Sequence, residues 1–329
     1  MAHRVAVTRR LPELGEELLA SAERRGEIDV VRWPNELPPF PQELARLVSG
    51  AVGVISLLTE PITADLFERE PQLKVVSNFA VGYDNIDLPA ATARKVAVCN
   101  TPGVLTNATA DLAFTLLMAC ARRISEGIDY VRGGHWETWS PTLLRGQEIT
   151  GATLGVIGLG RIGKEMARRG TGFGMRLLAY DEHQDEEAAT ELGVTFTPLD
   201  NLLKESDFVS LHCTLTPNTR HLIGSAQLAM MKSSAILINA SRGPVVDSDA
   251  LADALRDGTI WAAGLDVTDP EPLPAEHPLV TIPNCIVVPH IASASIVTRN
   301  EMARLAVENC LAVLNGTTPP HCVNPEVLA

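Results

Sequence analysis

Three groups able to do chemistry follow short apolar runs late in the chain. Ile236-Leu237-Ile238-Asn239 leads into Ala240-Ser241-Arg242-Gly243, Gly264-Leu265-Asp266-Val267 into Asp269-Pro270-Glu271-Pro272, and Val287-Val288 into Pro289-His290. Short apolar runs bounded by Gly and Pro read as buried strands. The guanidinium, the carboxylate and the imidazole would then stand at carboxyl strand ends, where open α/β sheets bind ligands. Reducing a 2-keto acid needs a hydride, a proton for the developing alkoxide, and a cation to hold the carboxylate. Arg242 offers a planar fork for the carboxylate and carbonyl. Imidazole titrates nearest neutral, so His290 is the candidate acid in reduction and base in oxidation, worth about 10²- to 10⁴-fold in rate when well positioned. Glu271 would hydrogen-bond the other ring nitrogen and fix the ring.

Taken singly, each has a plainer explanation. An Arg before Gly can cap a helix, a strand-end His is often structural, and Glu271 stands in an acidic, proline-rich loop. Their recurrence at three strand ends beside a dinucleotide motif is what selects the chemical reading. His212 adjoins Cys213 without metal-ligand spacing. His135, His183, His221, His277 and His321 fall in loops or at helix ends, and Ser241 lacks the GxSxG setting of a hydrolase nucleophile.

The dinucleotide motif lies in Thr153 to Asp181. An apolar strand, Leu154 to Ile157, feeds Gly158-Leu159-Gly160-Arg161-Ile162-Gly163. A helical pattern follows, with Ile162, Met166 and Ala167 on one face, and a second strand ends at Asp181. Gly158 allows the turn, Gly160 lets a pyrophosphate approach the backbone, and Gly163 lets helix and sheet pack closely. Phosphates would rest on the N–H groups at the helix N-terminus. Asp181, about 20 residues on, can accept both hydroxyls of a ribose. Glu182, Asp185, Glu186 and Glu187 follow it. Two like charges about 4 Å apart repel by about 4 kcal/mol at an effective dielectric near 20, which disfavours a 2'-phosphate. The expectation is NAD(H) over NADP(H).

The elements that must position these groups alternate strand and helix from the start. Val5 to Thr8, Ile28 to Val31, Ala51 to Leu58, Leu73 to Ser77 and Val96 to Asn100 read as strands of a first doubly wound sheet without a GxGxxG. The loop Ser77 to Asn85 follows one of them, and Gly82 would let neighbouring N–H groups face a carboxylate. Thr106 to Val131 reads as almost uninterrupted helix, apolar enough between Leu112 and Ala121 to be packed between domains or subunits. Gly133 to Pro141 reads as an irregular loop with Trp136 and Trp139, a core anchor or an interface arm. Beyond Asp181, strands are expected at Val194 to Phe196, Phe208 to His212, Ala235 to Asn239, Ala262 to Val267 and Cys285 to Val288. Helices are expected around Leu199, Gln227, Leu251 and Leu255, and from Ser293 to Leu314. A chain closing on one long helix commonly returns to its first domain, so the cofactor domain is expected as an insertion.

Composition sets outer bounds. The 329 residues have room for two domains. With 46% apolar and 4% aromatic residues, the chain fits a soluble α/β class. Its net charge of −13 argues against nucleic acid or anionic membrane as partners. Cys99, Cys120, Cys213, Cys285, Cys310 and Cys322 show no CxxC or metal spacing and read as small buried apolar residues in a reducing compartment. The start lacks a signal-peptide core, and no apolar run reaches membrane-spanning length, so the cytoplasm is expected and no metal is.

Together these stretches resemble the D-isomer-specific 2-hydroxyacid dehydrogenases, and within them the glyoxylate/hydroxypyruvate reductases. The resemblance is carried by Val81-Gly82-Tyr83-Asp84-Asn85-Ile86-Asp87, Asn100-Thr101-Pro102-Gly103-Val104-Leu105-Thr106, Leu154 to Gly163, Ile238 to Gly243, Ala263 to Val267 with Glu271-Pro272, and Pro289-His290-Ile291. It implies two doubly wound parallel-sheet domains with the active site in the cleft. One is a discontinuous flavodoxin-like substrate domain, 1–101 and 292–329; the other is a Rossmann NAD-binding domain, 102–291. It also implies that Arg242, Glu271 and His290 are the catalytic trio and that backbone at Val81 and Gly82 holds the substrate carboxylate. Thr106, Ala240, Ser241 and Asp266 would lie by the cofactor with Gly158, Leu159, Gly160, Arg161, Ile162, Gly163 and Asp181. The protein would be a homodimer through its cofactor domains, with Trp139 reaching the partner's substrate pocket. Two features depart from the pattern: Ala292 stands where Gly is usual, and several glyoxylate reductases carry Arg or Ser near the Asp181 position and use NADPH. The alternatives are a 3-phosphoglycerate dehydrogenase and a dinucleotide-sensing corepressor on the same fold. Lysine, found where Val81 stands in phosphite-oxidising relatives, is absent.

Overall fold

A computed structural model describes residues 2–328. The chain divides into two compact units, residues 2–105 with 294–328 and residues 106–293.

In the first unit β1 (His3–Val7), α1 (Glu13–Arg24), β2 (Ile28–Arg32), α2 (Pro41–Val48), β3 (Gly53–Ser56), α3 (Ala64–Arg69), β4 (Val75–Asn78), α4 (Leu88–Ala93) and β5 (Ala97–Cys99) follow one another. The strands form one parallel sheet in the order β2-β1-β3-β4-β5. Every residue of β3 and β4 is buried, as expected where helices cover both faces of a parallel sheet, and their polar ends are satisfied internally, with Ser56 Oγ donating to Asn78 Oδ1 at 3.0 Å. The expected strands are present; β3, β4 and β5 are shorter than their apolar runs, whereas β1 and β2 extend beyond theirs.

The second unit holds α5 (Thr106–Ala121), α6 (Ile124–Arg132), β6 (Thr153–Ile157), α7 (Arg161–Gly172), β7 (Arg176–Tyr180), α8 (Glu186–Leu192), β8 (Val194–Phe196), α9 (Leu199–Glu205), β9 (Phe208–Leu211), α10 (Ser225–Met230), β10 (Ile236–Asn239), α11 (Ser248–Arg256), β11 (Ala262–Leu265), α12 (Pro278–Thr281) and β12 (Cys285–Val287). Its sheet is wholly parallel, in the order β12-β11-β10-β9-β6-β7-β8. The order runs outward from β6 through β7 to β8 on one side and from β9 to β12 on the other. The switch point therefore lies between β6 and β9, where a doubly wound sheet opens a crevice.

The chain then returns to the first unit as α13 (Ile296–Leu314), which packs on α1, β3, β4 and β5. Ser77 Oγ donates to the Ala306 carbonyl at 2.7 Å, and Gly53 lets Cys310 approach the sheet, since a Cβ there would stand 3.0 Å from its sulfur.

Three expectations need correction. The helix expected from Thr106 to Val131 is two helices: Arg123 adopts a left-handed φ of 51°, which ends the α-helical path between Ala121 and Ile124. Its apolar half, α5, is buried against β10, β11, β12 and α7 of its own unit. The last helix begins at Ile296, not Ser293, because Ser295 caps it by accepting the Thr298 N–H at 3.1 Å. The cysteines are also not uniformly buried: Cys99, Cys120, Cys285 and Cys310 are, whereas Cys213 and Cys322 keep partial exposure. Among the described residues no helix is long and apolar enough to cross a membrane, and no cluster of His, Cys, Asp and Glu could hold a metal ion.

Candidate active site

The carboxyl edge of the second unit's sheet carries the groups in a row. His290 follows β12, Glu271 and Asp266 follow β11, Arg242 follows β10, His212 follows β9, Gly158 follows β6 and Asp181 follows β7. Parallel pairing brings Arg242, Glu271 and His290, far apart in sequence, to three adjacent strand ends.

His290 is held on two sides. Its Nδ1 lies 2.6 Å from Glu271 Oε1. An ionised carboxylate only accepts, so Nδ1 carries the proton and proton exchange with a ligand falls to Nε2. The backbone beneath is clamped by Asp266. The Asp266 carbonyl accepts the His290 N–H at 2.9 Å, and its carboxylate accepts Ile291 N–H at 2.7 Å and Ala292 N–H at 3.0 Å. This clamp accounts for a left-handed φ of 51° at His290, uncommon for a residue with a Cβ. Burial pushes the Asp266 carboxyl above its ordinary value, against the pull of the Ile291 N–H and the nearby His290. Ala292 is accommodated without a positive φ.

Arg242 and Glu271 are joined through backbone. A Cβ on Gly243 would fall 1.8 Å from the Thr268 carbonyl oxygen, so only glycine lets the loop after β10 lie against the loop that carries Glu271. Asn239 shapes the first loop, accepting Ser241 N–H at 3.1 Å and Ser241 Oγ–H at 2.9 Å while donating to the Arg242 carbonyl at 2.9 Å. Arg242 Nη1 in turn donates to the Ser241 carbonyl at 2.9 Å. In the second loop Ser248 Oγ donates to the Asp269 carbonyl and Thr268 Oγ1 to the Pro270 carbonyl.

The glycine turn separates into two kinds of glycine. Gly158 has a φ of 92°, and a Cβ there would stand 2.5 Å from Cys213 N; one on Gly163 would stand 2.0 Å from the Gly158 carbonyl oxygen. The fold itself requires both. Gly160 has an ordinary φ of −73°, and a Cβ there would meet no protein atom within 4 Å. Nothing in the protein requires glycine at Gly160, whereas a bound pyrophosphate would. Gly160 also caps α7 with no side-chain hydrogen bond, so the first N–H groups of this helix suit an anion. Asp181 accepts Leu159 N–H at 2.6 Å and His183 N–H at 2.9 Å. That uses two of about four lone-pair sites on a carboxylate. Lys164 is tied to Asp185 at 2.6 Å. The donor set fits a dinucleotide.

His212 and Cys213 carry no metal spacing in the sequence, and nothing local marks them as part of a site. They lie at the end of β9, across the switch point from Gly158, where the Gly158 turn presses on Cys213 backbone. Adjacency of β9 to β6 is the signal that finds them, and it is topological. Ser210 Oγ and His212 Nε2 lie 2.8 Å apart, while His212 Nδ1 is buried without a protein partner. Burial lowers the His212 pKa to about 4, so the ring is neutral.

In the first unit, the loop after β4 is organised by asparagines. Asn78 Nδ2 donates to the Gly82 carbonyl at 2.9 Å, and Asn100 Nδ2 to the Val81 carbonyl at 2.8 Å. In a trans peptide N–H and C=O point oppositely, so the N–H groups of Gly82 and Tyr83 face away from these asparagines. Thr106 is the first residue of α5. Trp139 is 78% exposed and Trp136 63% exposed, in a loop without helix or strand from Gly133 to Pro141. A cavity lined by Cys120, Arg123, Glu126, Trp261 and Asn284 opens at the amino ends of β11 and β12, the opposite edge of the sheet from these groups.

The chain is similar to known proteins along nearly its whole length. The family model for the D-isomer specific 2-hydroxyacid dehydrogenase, NAD binding domain, matches residues 114–292. The glyoxylate reductase of Korarchaeum cryptofilum is 50% identical over 329 residues, covering 100% of this chain and 98% of that protein. A crystal structure of a Thermus thermophilus protein superposes with a TM-score of 0.89 at 47% identity, covering 97% of this chain and 99% of that one. The NADPH-dependent glyoxylate/hydroxypyruvate reductase of Sinorhizobium meliloti, solved with NADP and malonate, gives 0.85 at 32% identity, covering 98% and 97%. With the family model spanning the sheet that carries Arg242, Glu271 and His290, the chain belongs to the D-isomer-specific 2-hydroxyacid dehydrogenases, enzymes with an NAD-binding domain.

Proposed function

We propose that the enzyme reduces glyoxylate or hydroxypyruvate to glycolate or D-glycerate, with NADH preferred to NADPH. The observation that carries this reading is the 2.6 Å contact between His290 Nδ1 and Glu271 Oε1, on strand ends adjoining the one that bears Arg242. The nicotinamide, when bound, supplies the hydride. Arg242 holds the keto acid by its carboxylate and carbonyl, and backbone N–H groups of the Val81-Gly82 loop share the carboxylate. His290 gives the Nε2 proton to the oxygen as it gains charge, while Glu271 stabilises the ring in the donating tautomer. Thr106 and Asp266 would border the nicotinamide, Ala240 and Ser241 would lie beside the cofactor, and Gly158 to Gly163 with Asp181 would hold the rest of the dinucleotide. A panel of glyoxylate, hydroxypyruvate, pyruvate and 3-phosphohydroxypyruvate assayed with NADH and with NADPH tests this. Turnover of the phosphorylated acid alone would favour a 3-phosphoglycerate dehydrogenase, and dinucleotide binding with no turnover a corepressor-type binder.

The preference for NADH rests on Asp181 and on the acidic run behind it, with Lys164 already paired to Asp185. Residues 1–101 with 292–329 would serve as the substrate domain and 102–291 as the cofactor domain. A homodimer is proposed from α6. Ile124, Ile128 and Val131, at i, i+4 and i+7 on that helix, are 50%, 44% and 54% exposed, a spacing that sets them on one face. The exposed Trp139 would reach the partner's substrate pocket; unchanged KM and kcat in Trp139→Ala would remove that role. Six free cysteines agree with a cytoplasmic setting.

A further inference from the structure

The C-terminal tail lies along β5, the edge strand of the first sheet. His321 N–H is accepted by Asn309 Oδ1, and Asn309 Nδ2 donates to the Asn100 carbonyl. Val323 N–H donates to the Val98 carbonyl at 2.7 Å. Asn324 Oδ1 accepts Val98 N–H at 2.8 Å, and Asn324 Nδ2 donates to the Val96 carbonyl at 2.9 Å. Rising numbers on the tail thus meet falling numbers on β5, an antiparallel approach that sets Cys322 opposite Cys99. The Cys322 thiol donates to Asn324 Oδ1 at 3.5 Å and lies close enough to the Cys99 thiol for the two to perturb each other. Opposed residues on antiparallel strands have Cα atoms about 4.5–5.5 Å apart, within the about 4.4–6.8 Å range that a disulfide spans.

We propose that Cys99 and Cys322 form a reversible peroxide-sensitive disulfide that fastens the C-terminal tail to β5. Cys322 is the partly exposed partner and Cys99 is fully buried, which orders the steps. The Cys322 thiolate attacks one oxygen of a hydroperoxide, the O–O bond breaks, and a sulfenic acid forms with release of water or of the corresponding alcohol. The Cys99 sulfur then attacks the Cys322 sulfur, the S–O bond breaks, and hydroxide leaves as water with the Cys99 proton. Two thiols lose two electrons in all, and the hydroperoxide gains them. The neighbouring Cys99 thiol holds the Cys322 thiol below its ordinary pKa, with Asn324 N–H and Val98 N–H adding to the effect, while burial and Glu326 oppose it. The neighbouring Cys322 thiol, then burial and the Cys310 sulfur, push the Cys99 thiol up. Attacker and resolver are therefore distinct.

The test treats the full-length enzyme with hydrogen peroxide, blocks remaining thiols, and maps peptides without reduction. The expected result is a tail peptide joined through Cys322 to a β5 peptide through Cys99, two hydrogens lighter than their sum and separated by dithiothreitol. A thermal midpoint raised by peroxide and restored by dithiothreitol should accompany it. Cys322→Ser should abolish both. Cys99→Ala should leave Cys322 as a sulfenic acid trapped by dimedone and then over-oxidised; if that variant folds poorly, Cys322→Ser carries the comparison. Linkage of Cys99 to Cys310 instead, or Cys322 oxidised in the wild-type chain without linkage, or no oxidation of Cys322, would overturn the proposal.

Discussion

Glu271 Oε1 and His290 Nδ1 lie 2.6 Å apart across two loops that leave neighbouring strands of one sheet. A charge-assisted hydrogen bond of this kind contributes about 1.5–3 kcal/mol, against about 0.5–1.5 kcal/mol for a neutral one. Glu271→Gln retains an acceptor without the charge, so kcat should fall roughly 5- to 30-fold, as about 1–2 kcal/mol implies. The keto acid KM should change less, since Arg242 is untouched. Steady-state kinetics of Glu271→Gln and Glu271→Ala check this, with Ala the slower. Wild-type kcat in both would remove Glu271 from the mechanism.

The glycine turn makes a paired prediction. Gly160→Ala meets no protein atom and has an ordinary φ, so its thermal midpoint should stay near that of the wild type. Its NADH affinity should drop about tenfold or more, about 1.4 kcal/mol, because the new methyl occupies space a pyrophosphate needs. Gly163→Ala should instead lower stability by about 1–3 kcal/mol through overpacking against the Gly158 carbonyl. Denaturation midpoints and fluorescence titration with NADH separate the two. A destabilised Gly160→Ala with normal affinity would reverse the assignment.

His212 predicts an acid-labile step in stability. Its pKa in the folded protein is about 4, against 6.5 for the unperturbed group. As pH falls, the unfolded chain therefore takes the proton first. The stability this residue protects is complete above about pH 6.5 and lost as pH falls toward 4, amounting to about 3 kcal/mol at about 1.4 kcal/mol per pKa unit. His212→Gln removes the titration and should flatten that part of the curve. Urea midpoints at about pH 7 and about pH 4.5 for both proteins decide it, and equal acid losses in the two would assign the effect elsewhere.

Much of this was legible in the amino-acid order, because the signals are local. The apolar run into Gly158-Leu159-Gly160 marks strand, turn and helix in a few residues, and the runs before Arg242 and His290 mark strand ends. What escaped depends on partners distant in sequence or on local conformation that hydrophobic period does not encode. Arg123 breaks a helix whose apolar pattern continues past it, and a left-handed φ leaves no compositional mark at arginine. Asp266 could be set near the cofactor by resemblance, but its grip on the peptides of Ile291 and Ala292 needed the pairing of β11 with β12. His212 gained its place beside Gly158 only through the β6–β9 neighbourhood.

Asp181 yields the last prediction, and its two jobs make the direction of change specific. Its carboxylate accepts Leu159 N–H and His183 N–H, holding the glycine turn, and in the proposed binding mode its charge would oppose a 2'-phosphate. Asp181→Ala removes both, so NADH should bind more weakly through loss of the ribose acceptor and loosening of the turn. NADPH loses the turn as well but gains relief from a repulsion of about 4 kcal/mol for charges about 4 Å apart at an effective dielectric near 20. Glu182, Asp185, Glu186 and Glu187 remain, and screening by salt reduces that figure further. The ratio of kcat/KM for NADPH to that for NADH should therefore rise by roughly 10- to 100-fold, about 1.4–2.7 kcal/mol, even as the NADH value falls. Measuring both values in wild type and variant at low and at high salt gives the answer. The rise should be smaller at high salt, and an unchanged ratio would show that cofactor choice is set elsewhere than at position 181.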